Sequence, residues 1–201
     1  VSPDIAQEIA SRLGVEVEFV CYPDPGAVCD AAELGEWDIG NIGAEPQRAE
    51  TIAFTSAYCE IEATYLVPAG SRLQSISDVD QSGIRIATKG RAAYGLWLEK
   101  NLRHAQLVRS GSIDASFDDF VAQGLEVLAG LKPRLLRDVE RLPGARILEG
   151  KFSAVQQSVG TPRKNTNAAA WLAATVEELK ASGFVAGAIA KHNVQGLTVA
   201  P

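Results

Sequence analysis

The chain has 201 residues, enough for one large domain or two small ones. With 46% hydrophobic and 22% charged residues it can bury a sizeable core, and no run approaches the ~18 apolar residues of a membrane-spanning helix. The net charge of −6, with 19 basic residues dispersed along the chain, argues against a nucleic-acid partner, which needs a basic patch.

In chain order, Ser2-Pro3 reads as an N-cap followed by proline at the first helical position. Ile5, Ala6, Ile9, Ala10 and Leu13 then recur at helical spacing, and Gly14 is placed to end the helix. "VEVEFV" alternates apolar and acidic residues, as a half-buried strand does. "YPDPG" is a turn, "AVCDAAELG" a short helix ending at Gly35, and "WDIGNIG" the next strand. Helix, strand, helix and strand with short joins imply an α/β protein with parallel strands.

Farther on, "ATYLVPAG" is a strand and "SISDVDQSG" a polar connection with one helical turn. "IRIATKG" is a strand, "RAAYGLWLEKNL" a helix, "AQLVRSG" a strand, and "SIDASFDDFVAQG" a helix capped by Ser112 or Asp114. The short apolar "LEVLAG" precedes the helix "LKPRLLRDVERL", with Pro133 in its first turn. "ARILEG" and "FSAVQQSVG" are strands, and "TNAAAWLAATVEELKASG" and "FVAGAIAKHN" are closing helices. Trp97 and Trp171 fall on apolar helix faces and read as core, as does Trp37 at the start of its strand. Asp118 and Asp119 read as the wet face of a helix.

Cys21, Cys29 and Cys59 leave at least one free thiol within one chain. Cys21 and Cys29 are close enough in sequence to pair, but spacing does not show that they do. His104 and His192 are far apart and no Cys/His cluster has zinc-ligand spacing, so no metal is expected. No Ser/His/Asp set is apparent, and "TKGR" lacks the pattern of a phosphate loop. No cofactor is expected. The first residues, "VSPDIAQEIA", lack the basic and apolar regions of a signal peptide and read as the interior of a domain.

One arginine, Arg48, follows the small-residue turn after "WDIGNIG". From the residues alone it is either a solvated turn arginine or a guanidinium placed for a purpose.

Four ordered stretches resemble the extracellular solute-binding proteins of family 3, which serve polar amino acid ABC transporters. They are "PDIAQEIASRLGVEVEFV", "ELGEWDIGNIGAEPQRAETIAFTSAY", "ISDVDQSGIRIATKGRAAY" and "VQQSVGTPRKN" with the closing helices. The resemblance implies a periplasmic binding protein type II-like α/β fold, two lobes joined by a two-strand hinge with the ligand cleft between them. Residues 1–60 and 157–201 form lobe one on this reading and 61–156 lobe two, with crossovers near Cys59–Ala63 and Val155–Ser158. The family begins with one further strand and a ligand-touching loop that these residues do not include.

On the same resemblance, Arg48 clamps the ligand carboxylate, which suits the planar fork of a guanidinium. Asn41, Gly43 and Glu45 line that strand end, Gly43 leaving the backbone open and Glu45 either contacting a ligand amine or pairing with Arg48. The second contact region is Gly90, Arg91 and Ala92, where backbone amides and a helix dipole favour an anion. Arg91 faces either the cleft or solvent, and Lys89 faces solvent. Leu131 and Lys132 stand where amino acid binders carry an acid for the α-ammonium. With Arg48 and Arg91, Lys132 would suit a small organic anion. The implied function is the periplasmic substrate-binding component of an ABC importer, a non-enzymatic monomer whose partners are a small carboxylate ligand and a membrane permease. One alternative is an enzyme such as a cyclohexadienyl dehydratase, with Glu45 or Lys132 as the added acid. Another is a sensor or scavenging protein without a transporter.

Overall fold

The computed structural model describes all residues from Val1 to Pro201. The chain divides into two compact units, Val1–Glu60 with Gln156–Pro201, and Ile61–Val155. It passes from one to the other inside two strands, β2 (Ile52–Val67) and β7 (Ser153–Pro162).

In the first unit, α1 (Ser2–Leu13) buries Ile5, Ala6, Ile9 and Ala10 and ends at Gly14 in a left-handed cap, φ 69°. Ser2 is the first helical residue rather than the cap, and its hydroxyl lies 2.8 Å from the Tyr58 hydroxyl. Helix α2 (Pro25–Leu34) is capped by Asp24, which accepts from the Ala27 amide at 3.0 Å. Strand β1 (Gly40–Gly43) pairs antiparallel with β7, Gly40 opposite Gly160 and Gly43 opposite Gln157. β7 lies beside β2, and β8 (Leu197–Val199) adds to β2. Helices α6 (Thr166–Ala181) and α7 (Phe184–His192) complete the unit. Ala31, Ala32, Trp37 and Ile52 form one apolar cluster in it.

The expected strand at "VEVEFV" is absent: residues 15–20 are extended chain outside any sheet. A strand is made by its ladder partner and not by side-chain alternation alone, and here no partner lies beside it. Val15, Phe19 and Val20 are at least half exposed as a result. For the same reason β1 has no parallel neighbour and takes its partner, β7, from far down the chain in antiparallel sense. Trp171 is 37% exposed and not core, whereas Trp37 is buried with its indole N–H donating to the Val28 carbonyl at 3.0 Å.

The second unit follows the expected alternation. Strand β3 (Arg85–Lys89) is flanked in parallel by β4 (Gln106–Ser110) and β5 (Val127–Leu131), and β5 pairs antiparallel with β2, Ala63 opposite Leu131. Helix α3 (Ala93–Asn101) connects β3 to β4, and α4 (Ile113–Ala122) connects β4 to β5. Helix α5 (Lys132–Glu140) follows β5 directly, and β6 (Arg146–Ile147) pairs with β2. Period-2 alternation sorts the strands into two layers. Tyr65, Val67, Ile86 and Val127 pack on one face with Leu98 and Leu148. Leu66, Ala87 and Leu128 pack on the other with Phe117, Phe120 and Leu135. All three thiols are free, so Cys21 and Cys29 are not bridged. No helix is long and apolar enough to cross a membrane.

Candidate functional site

Strand β1 ends at Gly43, where the Ala44 amide donates to the Gln156 carbonyl at 2.8 Å. The chain then turns through Glu45, whose carbonyl accepts from the Ala49 amide at 3.0 Å, into a single 3-10 turn over Arg48–Glu50. That turn folds Arg48 back on the strand. Its Nη1 donates to the Gly43 carbonyl at 2.7 Å, and the residue is only 4% exposed. A solvated turn arginine would be open to water; this one is held in the body of the unit. A buried guanidinium costs desolvation unless its surroundings match its charge, so its placement is specific. Gly43 is buried, and Asn41 and Glu45 are half-buried. The Asn41 Oδ1 is buried without a hydrogen-bond donor.

In the second unit, β3 runs into a tight turn. The Gly90 amide donates to the Ser110 carbonyl at 3.1 Å and the Ala92 amide to the Lys89 carbonyl at 3.4 Å. Two of the three amides expected to meet an anion, those of Gly90 and Ala92, are therefore engaged within the turn. Arg91 adopts φ 61°, a left-handed conformation that is uncommon away from glycine, and its side chain is exposed. Ala92 caps α3 without a side-chain acceptor, so the first amides of α3, at Ala93–Gly95, carry the positive end of the helix dipole. Gly95 lets that helix lie close: a Cβ there would sit 2.7 Å from the Lys89 carbonyl oxygen.

Lys89 corrects an expectation. It is 5% exposed rather than solvent-facing, and its Nζ donates to the Gly90 carbonyl at 2.6 Å. Thr88, next to it, is also buried, and its hydroxyl has no hydrogen-bond partner. Lysine and threonine at a strand end are usually wet, which is why Lys89 reads as solvent-facing and Thr88 draws no notice in the sequence. Tyr94 packs below this turn, and burial pushes its hydroxyl up to about 12.

Lys132 opens α5, and its ammonium lies 2.6 Å from the Glu62 carboxylate. The pairing follows from register: with Ala63 opposite Leu131, the next rung sets Glu62 beside Lys132. Lys132 is therefore not an unmatched cation, and Glu62 is an acidic residue at this position that the sequence did not point to. No group of His, Cys, Asp and Glu side chains is arranged to hold a metal ion. The predicted site residues thus fall into two sets. Asn41, Gly43, Glu45 and Arg48 share the end of β1 in the first unit, and Gly90, Arg91, Ala92 and Lys132 belong to the second.

No curated protein matches the chain. Among solved structures it is similar to a mutant of ArgBP from T. maritima, at 21% identity and TM-score 0.76 over 94% of this chain and 82% of that one. It is also similar to a binding component of an ABC transporter from Wolinella succinogenes, complexed with lysine, at 15% identity and TM-score 0.80 over 94% and 83%. A third is an ancestral amino acid-binding protein described as a precursor of cyclohexadienyl dehydratase, at 18% identity and TM-score 0.76 over 94% and 83%. The fold is that of the type II periplasmic binding proteins. The family model of bacterial extracellular solute-binding proteins, family 3, matches residues 1–195, and the chain belongs to that family.

Proposed function

We propose that this chain is the substrate-binding component of an ABC importer and takes a small solute bearing a carboxylate, either amino acid-like or an organic acid. The observation that carries this reading is Arg48, a guanidinium held almost fully buried at the end of β1. In such a place the fork of N–H donors meets a carboxylate in two parallel charge-assisted bonds, strengthened by exclusion of water.

Asn41, Gly43 and Glu45 supply the remaining contacts of the first unit. In the second unit, the turn at Gly90–Ala92, the start of α3 and the buried Lys89 supply positive potential. Glu62 offsets Lys132, so the ligand need not be a dianion. Closing motion about β2 and β7, release to a membrane permease, and function outside the cytoplasm complete the proposal, as does action as a binder rather than as an enzyme.

The test is a thermal-shift screen of amino acids and organic acids, because a ligand that binds the folded chain raises its apparent stability. We expect hits confined to carboxylate-bearing compounds, and Arg48→Ala to weaken them by about 100-fold. Hits that lack a carboxylate would remove Arg48 from its role. Turnover of prephenate or arogenate would replace the binder by an enzyme.

A further inference from the structure

Arg163 directly follows β7, and its hydrogen bonds go to the turn that carries Arg48. Its Nε donates to the Ala49 carbonyl at 3.0 Å, its Nη2 donates to the same oxygen, and its backbone amide donates to the Thr51 carbonyl at 2.9 Å. Three donors of one residue thus hold the two carbonyls that bracket Glu50. Two residues earlier, the buried Thr161 hydroxyl donates to the Asp38 carbonyl at 2.9 Å. The end of β7 therefore ties down the chain on both sides of β1, before it at Asp38 and after it at Ala49 and Thr51.

The turn needs that support. A single 3-10 turn has poor hydrogen-bond geometry and does not stand alone. Here the Glu50 amide reaches the Gln47 carbonyl at 3.4 Å and the Thr51 amide the Arg48 carbonyl at 3.2 Å. Yet this turn keeps a guanidinium buried, where desolvation favours its escape to water. β7 is a firm base for the tie, since there is no room even for a Cβ between Gly160 and Ile52, the first residue of β2 after the turn. Arg163 itself is exposed, so it gives up rotamer freedom in water to make these bonds.

We propose that Arg163 is a positioning residue for ligand binding. It fixes Arg48 in place through the Arg48–Glu50 turn, so affinity depends on a side chain that donates to backbone and not to the ligand. This rests on the reading of Arg48 as a carboxylate clamp. A lysine at position 163 would keep one donor for Ala49 and lose the fork.

Phenylglyoxal labelling of the ligand-free chain, mapped by mass spectrometry, tests the positioning itself. In Arg163→Ala, Arg48 should react about tenfold faster than in the wild type, and in Arg163→Lys by an intermediate amount. The half-buried Arg85 and Arg134 of the second unit should keep their rates. The thermal-shift panel of amino acids and organic acids then reads binding. Midpoints for compounds that stabilise the wild type should rise about tenfold in Arg163→Ala and about threefold in Arg163→Lys. Arg163→Ala added to Arg48→Ala should bring no further loss, because it acts only through Arg48. Unchanged labelling of Arg48 in Arg163→Ala, or a loss of affinity that adds in full to that of Arg48→Ala, would overturn the proposal. So would faster labelling of Arg85 and Arg134 alongside Arg48, the mark of a general loosening. Midpoints unmoved by Arg48→Ala would overturn the clamp and this proposal with it, whereas failed labelling beside a working clamp overturns the positioning alone.

Discussion

At the scale of single residues, burial decides chemistry. Arg48 keeps its charge in the body of the first unit, as guanidinium groups do at any accessible pH. From the residues alone Arg48 could equally be a solvated turn arginine; the resemblance to the solute-binding family gave it a ligand role, and its burial is a property of the fold. Lys89 was not legible: a lysine beside a turn glycine looks wet, and only the fold shows that β3 buries it. Nor was Glu62, whose nearness to Lys132 depends on the register of strands some seventy residues apart in sequence.

The cysteines give a direct test of burial at this scale. Cys59 is 1% exposed and burial pushes its thiol up to about 12, while Cys21 is exposed. Because the thiolate is the reactive form, iodoacetamide at pH 8 should label Cys21 first and Cys59 only on unfolding. Peptide mapping by mass spectrometry reads the order, and early labelling of Cys59 would contradict its placement.

At the scale of elements, local signals held where an element is closed by its own residues and failed where it needs a distant partner. Gly14, Gly35 and Ser112 end or start their helices as their chemistry dictates. The Ser112 hydroxyl accepts from the Ala115 amide at 3.0 Å, so Ser112→Ala should cost about 1 kcal/mol in denaturant unfolding. Residues 15–20 have a strand pattern and no strand, because the partner that would complete the ladder is not beside them. β2 is the opposite case. In the sequence only its last residues, within "ATYLVPAG", read as a strand, but all sixteen residues form one, since pairing along its length bridges the polar middle.

Gly160 shows how closely the first unit is packed. It faces Gly40 across β1 and β7, and a Cβ there would meet the Ile52 side chain at 2.4 Å and Phe54 at 3.1 Å. Gly160→Ala should therefore destabilise the chain by about 2 kcal/mol through overpacking. Urea denaturation with the same m-value and a lower midpoint would show this, and an unchanged midpoint would refute it.

At the scale of the whole molecule, the α/β fold class and the family were legible, because four segments in fixed order carry them across nearly the full length. The strand pairings were not, since register and partner choice are properties of the assembled chain. The acidic balance has a consequence for stability. The Arg85 guanidinium, 2.8 Å away, holds the Glu126 carboxylate below its ordinary value of 4.5. The amides of Gln74 and Ser75 lower Asp78 in the same way. A carboxylate lowered on folding stabilises fully above its unfolded value, and that stabilisation is lost as pH falls through its folded value. The melting temperature should therefore drop steeply below about pH 4.5, and Glu126→Gln should make that drop shallower.

Arg48 as a carboxylate clamp is the claim on which the functional reading rests. Calorimetric titration of the wild-type chain, Arg48→Lys and Arg48→Ala, using a carboxylate found by the thermal-shift screen, tests it most directly. The account predicts one-to-one binding to the wild type, weakened about tenfold by lysine, which keeps the charge but not the fork, and about 100-fold by alanine. Equal affinity in all three proteins, with their folds intact, would contradict it.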